Sequence, residues 1–593
     1  MLMDNTVLVQ TGSALASWTP LTVLLGIYAA IVVALVAFGR SDPTLPRLER
    51  VLLRIPDALE RLTGVPGWAA AAVGTSLYGL LVAGEGFYSD VAWHVALGRD
   101  SELFTAPHTS IVLGLGFITV ASAVGVLFAT LGRVAVGFRV GALRVPWSMV
   151  PLAVLGVSAV SGFPLDEVWH REYGVDVTMW SPTHMLMILG ASFSGLASWL
   201  VLADAKVPTR GSAWFRGLHV VAAWLTLQGL ASSQGEFAFG VPQFQQIFHP
   251  ILVCLAAGFA LVAIRLVLGR GWALGIAIGS FLFDSAALFG GEAGGPVDTR
   301  TGGIYLASAL AVELVAHLAG TERRLRFGVL SGLVVGTVGL AGEWAYNQGA
   351  YQPWRSALLP DAVILGVVVA VGAAVLATAF ARAVTGGSHP SERAARATPV
   401  GGQWLIAAGA AVLLVLALPM PRGTGDVTAD LRVDQLGDEA LVEITLSPAD
   451  AADDARWFQT IAWQGGELVI AEMDEVAPGT YVADKAVPVT GLAKSLVRLH
   501  RGGELMAVPV RFPDDPEIGA PEIPAEGRTV AFEAEQQFLL RETRPGSAWL
   551  EIAIYALLGI VALVWITAFV VTARRVGPPS HAATSATPEP VRR

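Results

Sequence analysis

The amino-acid sequence predicts an all-α polytopic membrane protein that carries a small extracytoplasmic β-sandwich domain. Of its 593 residues, 54% are hydrophobic and only 15% are charged, and the mean hydropathy is +0.60. A soluble domain has about 25% charged residues. Apolar stretches of about 20 residues, long enough to cross about 30 Å of hydrocarbon, recur about thirteen times. One long segment, residues 421–547, is instead polar, acidic and rich in Pro and Gly.

The apolar stretches divide the chain into four parts. Residues 1–420 are predicted to form a transmembrane domain of repeated two-helix hairpins, residues 421–547 the β domain, residues 548–573 a last transmembrane helix, and residues 574–593 a disordered cytoplasmic tail. The stretches centre near residues 28, 76, 119, 154, 193, 223, 259, 280, 310, 334, 371, 411 and 560.

Arginine and lysine residues concentrate in alternate loops, beginning with Arg40, Arg47, Arg50, Arg54 and Arg61. Loops rich in Lys and Arg face the cytoplasm. We therefore expect a multi-pass protein of the cytoplasmic membrane. Its N-terminus, the intervening loops and residues 421–547 would lie outside, and its C-terminus would be cytoplasmic.

The polar segment shows the alternation of β-strands, as in residues 441–446. Two further runs flank Gly502 and Gly503, which is typical of a hairpin because glycine reaches positive φ without penalty. The segment offers only His500, Met473 and Met506 as soft metal ligands, too few for a cupredoxin-type copper site. We expect His500 to be solvated.

Charge and cysteine content exclude several classes of function. The net charge is -10 and the pI is about 5.5, which argues against nucleic acid as a partner because phosphate binding needs a basic face. Cys254 is the single cysteine, so the chain forms no internal disulfide and no cysteine-based metal site. A metal would have to rest on histidine and carboxylate. The lipid bilayer is the first partner that the composition predicts.

A sequence motif occurs twice. Counted from Asp90, a Trp stands at +3, His94 at +4, a Gly at +8, Asp100 at +10 and His108 at +18. Counted from Asp166, the same residue types stand at the same offsets, with His170, Asp176 and His184. This register indicates a multiplied two-helix hairpin. Glu236 and His249 in the third intervening loop form a weaker, partial copy of the motif.

Residues four apart share a helix face, so each Asp and its first His point at one spot. The second His begins the next helix, after Pro107 or Pro182, where proline suits a helix start. Two imidazoles and one carboxylate suit copper, zinc or non-haem iron. The predicted metal ligands are Asp90, His94, His108, Asp166, His170 and His184, with Asp100 and Asp176 as acceptors that orient an imidazole and Glu236 and His249 as a weaker third site.

A plainer interpretation stays open. A histidine near a helix end often serves as a hydrogen-bonded anchor, and the neighbouring Trp93 and Trp169 fit an aromatic belt at the membrane interface. Ionisable groups at membrane depth are costly and usually functional, which favours the metal interpretation for the pair.

Residues 85–200 resemble the metal-binding segment of the C subunit of the copper membrane monooxygenases, the particulate methane and ammonia monooxygenase family. The likeness rests on Asp90-x-x-Trp93-His94, then Arg99-Asp100, Phe104-Thr105 and His108. It implies copper ligands at Asp90, His94 and His108, and a second cluster at Asp166, His170 and His184, where the family has Asn at the first position. The family's C subunit is shorter and works with separate A and B subunits, so further membrane subunits are an implied partner.

Three functions follow as expectations. The first is a copper-binding protein, with zinc or iron as alternatives, that oxidises a small apolar substrate delivered through the bilayer. The second is a transition-metal transporter or metal-receiving membrane protein, which Asp284 and Glu313 favour because carboxylates deep in the membrane relay ions. The third is a non-catalytic structural subunit of a membrane complex.

Overall fold

The structure is a computed structural model. It describes residues 46–98, 104–175, 178–207, 212–289, 303–349, 353–385, 426–465 and 468–576, with short pieces of 22–34 and 408–412. The predicted disordered tail lies almost wholly outside the described residues.

The part before residue 386 is helical. The described residues there also include one small hairpin of strands β1 (Phe138–Val140) and β2 (Leu143–Val145). The helices are α1 Pro46–Thr63, α2 Gly67–Leu97, α3 Ala106–Leu131, α4 Met149–Tyr173, α5 Pro182–Ser192, α6 Ser194–Asp204, α7 Ala213–Ala231, α8 Gly235–Ala238, α9 Phe248–Leu268, α10 Trp272–Phe289, α11 Leu306–Ala319, α12 Arg324–Val334, α13 Leu340–Asn347 and α14 Leu359–Thr385. After the β domain come α15 Gln536–Leu539 and α16 Ala548–Val576.

Eight helices in the described part of the chain are long and apolar enough to cross a membrane, and they mark the chain as a membrane protein. They are α2, α3, α4, α5 joined to α6, α9, α12 joined to α13, α14 with the turn before it, and α16.

The expected thirteen spans are not confirmed. The apolar run of α11 has 14 residues, and at about 1.5 Å per residue it is about 21 Å long, short of the hydrocarbon thickness. The apolar part of α10 is equally short, and α7 has 19 residues but is not among the eight. The runs near residues 28 and 411 lie largely outside the described residues.

Helices α2 and α3 form a tight hairpin because glycines line their contact. A Cβ on Gly79 would lie 2.7 Å from the Gly114 carbonyl oxygen, and one on Gly86 would lie 2.7 Å from the Ile111 nitrogen. Small residues let membrane helices approach this closely. The hairpin therefore holds the end of α2 against the start of α3.

The β domain is a ten-stranded antiparallel sheet with the order β11-β3-β4-β7-β6-β5-β9-β10-β12, in which β8 pairs beside β4. Its strands are β3 Thr428–Leu436, β4 Glu439–Ser447, β5 Ala455–Trp463, β6 Val469–Ala477, β7 Thr480–Ala483, β8 Val487–Pro488, β9 Lys494–Arg501, β10 Glu504–Arg511, β11 Arg528–Ala531 and β12 Glu533–Ala534. The predicted hairpin at Gly502 is confirmed, since β9 pairs with β10 and Gly502 has φ +55°.

The sheet is nearly closed into a barrel. Its two edge strands, β11 and β12, are separated only by Phe532, whose N–H donates to the Val427 carbonyl at 2.8 Å. The predicted sandwich of two sheets is therefore not confirmed. Alternating burial, as along β4, predicts a strand with one buried face. It does not distinguish two sheets from one curled sheet, because closure depends on pairing between distant strands.

The β domain packs directly on the helical part. Strand β9 is buried along nearly its whole length, because one face fills the barrel and the other covers the ends of helices. Ile461 and Leu496 form one apolar cluster with Ala92 and Val95 of α2 and with Phe239. The domain thus covers the end of α2 that carries the first predicted ligands.

Candidate metal centre

The first Asp/His cluster lies where α2 ends and α3 begins. Asp90 and His94 are one helical turn apart near the end of α2, and His108 is the third residue of α3. Asp90 Oδ1 lies 3.6 Å from His94 Nε2 and 3.1 Å from His108 Nε2. The two imidazole centroids are 6.1 Å apart. The three side chains therefore converge, as the offsets of +4 and +18 predict.

The backbone beyond α2 orients His94. Its Nδ1 lies 3.0 Å from the Gly98 carbonyl oxygen, which can only accept, so Nδ1 carries a proton and Nε2 is the ring nitrogen that faces Asp90. Gly98 ends the helix with φ +92°, and its N–H donates to the His94 carbonyl at 3.1 Å. A positive φ favours glycine, which explains why the motif has glycine at +8.

The second cluster has the same form where α4 ends and α5 begins. Asp166 Oδ2 lies 3.7 Å from His170 Nε2 and 3.3 Å from His184 Nε2. The centroids of these two imidazoles are 6.0 Å apart. Gly174 ends α4 with φ +83°. The two clusters therefore share one geometry, in agreement with the repeated motif.

Two threonines orient the second cluster. His184 Nδ1 donates to the Thr178 carbonyl at 2.5 Å, which directs Nε2 toward Asp166. The Thr183 hydroxyl donates to Asp166 Oδ1 at 2.6 Å. Asp166 Oδ2 is therefore the oxygen that faces both imidazoles.

Sequence reasoning missed the helix caps that present the second histidine of each cluster. Thr105 accepts from the His108 N–H and Ser181 accepts from the His184 N–H, both at 3.4 Å. Both caps stand at +15 in the motif, so the signal was present as a hydroxyl residue three positions before each histidine.

The donor sets fit a divalent transition metal. An ion at about 2.0–2.1 Å from each ligand, with ligand–metal–ligand angles of about 90–120°, places the ligand atoms about 2.9–3.6 Å apart. The four Asp–His distances of 3.1, 3.3, 3.6 and 3.7 Å lie in or beside this interval. Buried polar atoms normally have hydrogen-bond partners, yet Asp90 Oδ1 and His170 Nε2 make no hydrogen bond of good geometry.

The six side chains are partly shielded from solvent, with exposed fractions between 11% and 21%. In the described residues these two clusters are the groups of three or more His, Cys, Asp or Glu whose ligand atoms lie within 4.8 Å of one another. The structure thus brings together all six predicted ligands.

The clusters are neighbours. The helix that carries Asp166 and His170 also borders the first cluster. Phe163 of α4 lies beside the first cluster, with its ring centroid 6.2 Å from that of His108 and 5.8 Å from that of Phe104. An apolar wall therefore borders the first cluster.

The remaining candidates for a role at a metal site are Asp100, Asp176, Glu236 and His249. Asp100 and Asp176 lie outside the described residues. Among the described residues, Glu236 joins no group of possible metal ligands. Its carboxylate accepts from Thr178 Oγ1 at 2.9 Å, from the Met179 N–H at 3.2 Å and from the Gln243 N–H at 3.3 Å. Through Thr178 it anchors the segment whose carbonyl orients His184.

Burial raises the pKa of the Glu236 carboxyl to about 7, against the opposing effect of these three hydrogen bonds and of Arg498. His249 lies in an aromatic setting, where it stacks on Phe237 at 5.1 Å and its Nδ1 accepts from Trp354 Nε1 at 3.1 Å. The described residues place no third cluster around the pair Glu236 and His249.

The prediction that His500 is solvated is wrong. His500 is 1% exposed, and its Nε2 donates to Glu535 at 2.5 Å beside Arg498. Burial lowers the pKa of His500 to about 4, whereas Arg498 and His500 lower that of Glu535 to about 2. The error arose because His500 packs against Trp457 of the neighbouring strand, with ring centroids 4.1 Å apart, and pairs with Glu535, and the sequence alone does not show these contacts.

The fold and the two clusters define a membrane protein with a paired candidate metal centre. No family model, curated protein or solved structure matches the chain.

Proposed function

We propose that this chain is a metal-binding membrane protein whose two Asp/His clusters each hold one transition-metal ion. Asp90, His94 and His108 form one site, and Asp166, His170 and His184 form the other. Copper is the first choice, because two imidazoles favour it in the Irving–Williams order, and zinc and iron are the alternatives.

One observation carries the proposal: two repeats turn imidazole Nε2 atoms toward a shared carboxylate. In each repeat one imidazole Nδ1 is engaged by a backbone carbonyl, of Gly98 or of Thr178. Metal-ligating histidines typically donate their other ring N–H in this way. A plain hydrogen-bonded anchor would not require three side chains to converge twice in the same register.

We further propose that the bound metal serves oxidation of a small apolar substrate that arrives through the bilayer. Copper would supply redox chemistry toward dioxygen. The residues of the chain would hold the ion, orient its ligands through Gly98 and Thr178, and border it with the apolar rings of Phe104 and Phe163. The likeness of residues 85–200 to the copper membrane monooxygenases supports this assignment.

Passage of the metal across the membrane is a second candidate. A cavity of about 40 Å³ among α7, α10 and α11 is lined by Asp284, Gln228 and Tyr305. Glu313, the other deep carboxylate, pairs with Arg265 at 2.9 Å and is thereby neutralised. If the chain transports metal, Asp284→Asn should abolish uptake of radioactive copper or zinc into vesicles while both clusters still load.

We also propose that the β domain faces the outside of the cytoplasmic membrane. The arginine-rich loops support this orientation, because such loops stay in the cytoplasm.

Metal content of purified protein tests the first proposal. After loading with copper, His94→Ala and His170→Ala should each lose about one metal equivalent and the double variant about two. His317→Ala removes an exposed histidine of α11 outside both clusters and should lose none. Wild-type protein that takes up no copper, zinc or iron would overturn the proposal.

A further inference from the structure

The β domain holds the ends of both helices that carry an Asp/His pair. The last carbonyls of a helix lack partners within the helix. In α4 these are the carbonyls of Arg171, Glu172 and Tyr173, which directly follow His170. Their hydrogen-bond donors come from a segment about 370 residues further along the chain.

Arg544 donates a hydrogen bond to each of these three carbonyls. Its backbone N–H donates to Tyr173 at 2.7 Å, its Nε donates to Glu172 at 3.1 Å, and its Nη2 donates to Arg171. A guanidinium at this position also complements the negative end of the helix dipole. Arg544 therefore acts as a C-cap of the helix that presents Asp166 and His170.

The segment around Arg544 is itself anchored in the β domain and on α4. Lys494 of β9 pairs with Glu542 at 2.5 Å, and both side chains are less than 10% exposed. Gly174 pairs with Thr543 in an antiparallel bridge. The Tyr173 hydroxyl donates to the Ser547 carbonyl at 2.6 Å. The cap is therefore continuous with the sheet.

The β domain also contacts the end of α2, the helix that carries Asp90 and His94. The Gln464 N–H, at the end of β5, donates to the Val95 carbonyl of α2 at 2.9 Å. The Gln464 side chain covers Gly98 so closely that a Cβ there would lie 3.1 Å from it. Gly98 supplies the carbonyl that orients His94. The β domain thus contacts the residue on which the His94 tautomer depends.

We propose that the β domain is a clamp that positions the metal ligands, with Arg544 as the positioning residue for the second cluster and Gln464 as that for the first. The proposal rests on the proposed metal-binding function. It gives the fused domain a role that requires no metal ligands of its own.

The test uses full-length protein, copper(II) alone as the probe and one cluster at a time. In the His94→Ala background only the second cluster loads, and Arg544→Gln should weaken its copper affinity about fivefold. Partners that orient ligands are typically worth 10- to 100-fold, and Arg544 acts one contact further out and is exposed, so we expect a smaller effect. In the His170→Ala background the same change should leave the affinity of the first cluster unaltered, which also reports that the variant is folded.

Gln464→Gly gives the reciprocal result. Gln464 has φ +63°, which glycine adopts without strain, so the change removes the side chain over Gly98 and keeps the turn. It should weaken copper binding by the first cluster and leave the second unaltered. The copper(II) electron paramagnetic resonance spectrum should change only for the affected cluster, because its imidazole orientation changes.

Arg456→Gln is the matched control. Arg456 also docks the β domain, through Asp361 at 2.9 Å, but contacts neither cluster. It should alter neither affinity. Equal losses for Arg456→Gln and Arg544→Gln, or undiminished copper affinity in both Arg544→Gln and Gln464→Gly, would overturn the clamp. Parent proteins that bind no copper would overturn the proposed function itself.

Discussion

Glu236→Gln is predicted to change the pH dependence of stability. Glu236 is buried between the segment 178–179 and Gln243, and burial raises its pKa to about 7 from an ordinary value of 4.5. The protonated form is therefore the one that the folded protein favours. Between pH 4.5 and about pH 7 the folded state therefore binds more protons than the unfolded state.

The difference in bound protons determines how the contribution of Glu236 to stability changes with pH. Stability falls with pH wherever the folded state binds more protons. The contribution of Glu236 is complete below about pH 4.5 and is lost as the pH rises through about 7. At 1.36 kcal/mol per pKa unit, the shift amounts to about 3 kcal/mol. A typical protein has only about 5–15 kcal/mol in total, so the effect should be measurable.

The glutamine variant cannot titrate. It keeps an acceptor for Thr178 and Met179 but turns an amide toward the Gln243 N–H, which costs about 1 kcal/mol at every pH. The difference between wild type and variant therefore separates the two effects. The constant part is the lost hydrogen bond, and the part that changes with pH is the titration.

The assay is thermal unfolding of metal-free protein in detergent at a series of pH values from 4.5 to 8. Metal must be removed because its own binding depends on pH. The melting temperature of wild type minus that of Glu236→Gln should fall by several degrees across this range. A difference that stays flat or rises with pH would contradict a raised pKa of Glu236, since it would mean that Arg498 keeps Glu236 ionised in the folded protein.

Two further predictions concern the β domain. In a Cys254→Ala background, a membrane-impermeant thiol reagent added outside cells should label a cysteine placed at the exposed turn residue Gly502 and miss one placed at Arg50; the opposite pattern would invert the proposed orientation. His500 is neutral when folded, with a pKa of about 4, so acid should destabilise the full-length protein from about pH 6.5 down to 4. His500→Gln should remove this dependence, and an unchanged acid profile would show that His500 is charged beside Glu535.

The membrane part was predictable because lipid leaves the backbone few choices. A chain in hydrocarbon must satisfy its own hydrogen bonds, so each long apolar run becomes a helix. The runs at α10 and α11 are not confirmed as spans, because apolar composition does not give helix length. The closure of the β sheet was not predictable, because the pairing of β11 with β3 and of β12 with β10 joins strands far apart in the chain.

The six candidate ligands were predictable because each set of three lies within one two-helix hairpin. Offsets of +4 and +18 place three side chains around one hairpin, and these offsets are visible in the sequence. Other features of the site depend on contacts that the offsets do not show. Thr178 orients His184, Glu236 anchors Thr178, and Arg544 caps α4. A single sequence has no periodic signal for such contacts.

Anomalous X-ray scattering from crystals of copper-loaded, full-length protein would show directly whether each Asp/His cluster holds a metal ion. Two anomalous peaks are expected at the copper edge. One should lie among Asp90, His94 and His108, and the other among Asp166, His170 and His184, each within about 2.0–2.2 Å of the imidazole Nε2 atoms. Copper bound elsewhere with both clusters empty, or protein that takes up no copper, zinc or iron, would contradict it.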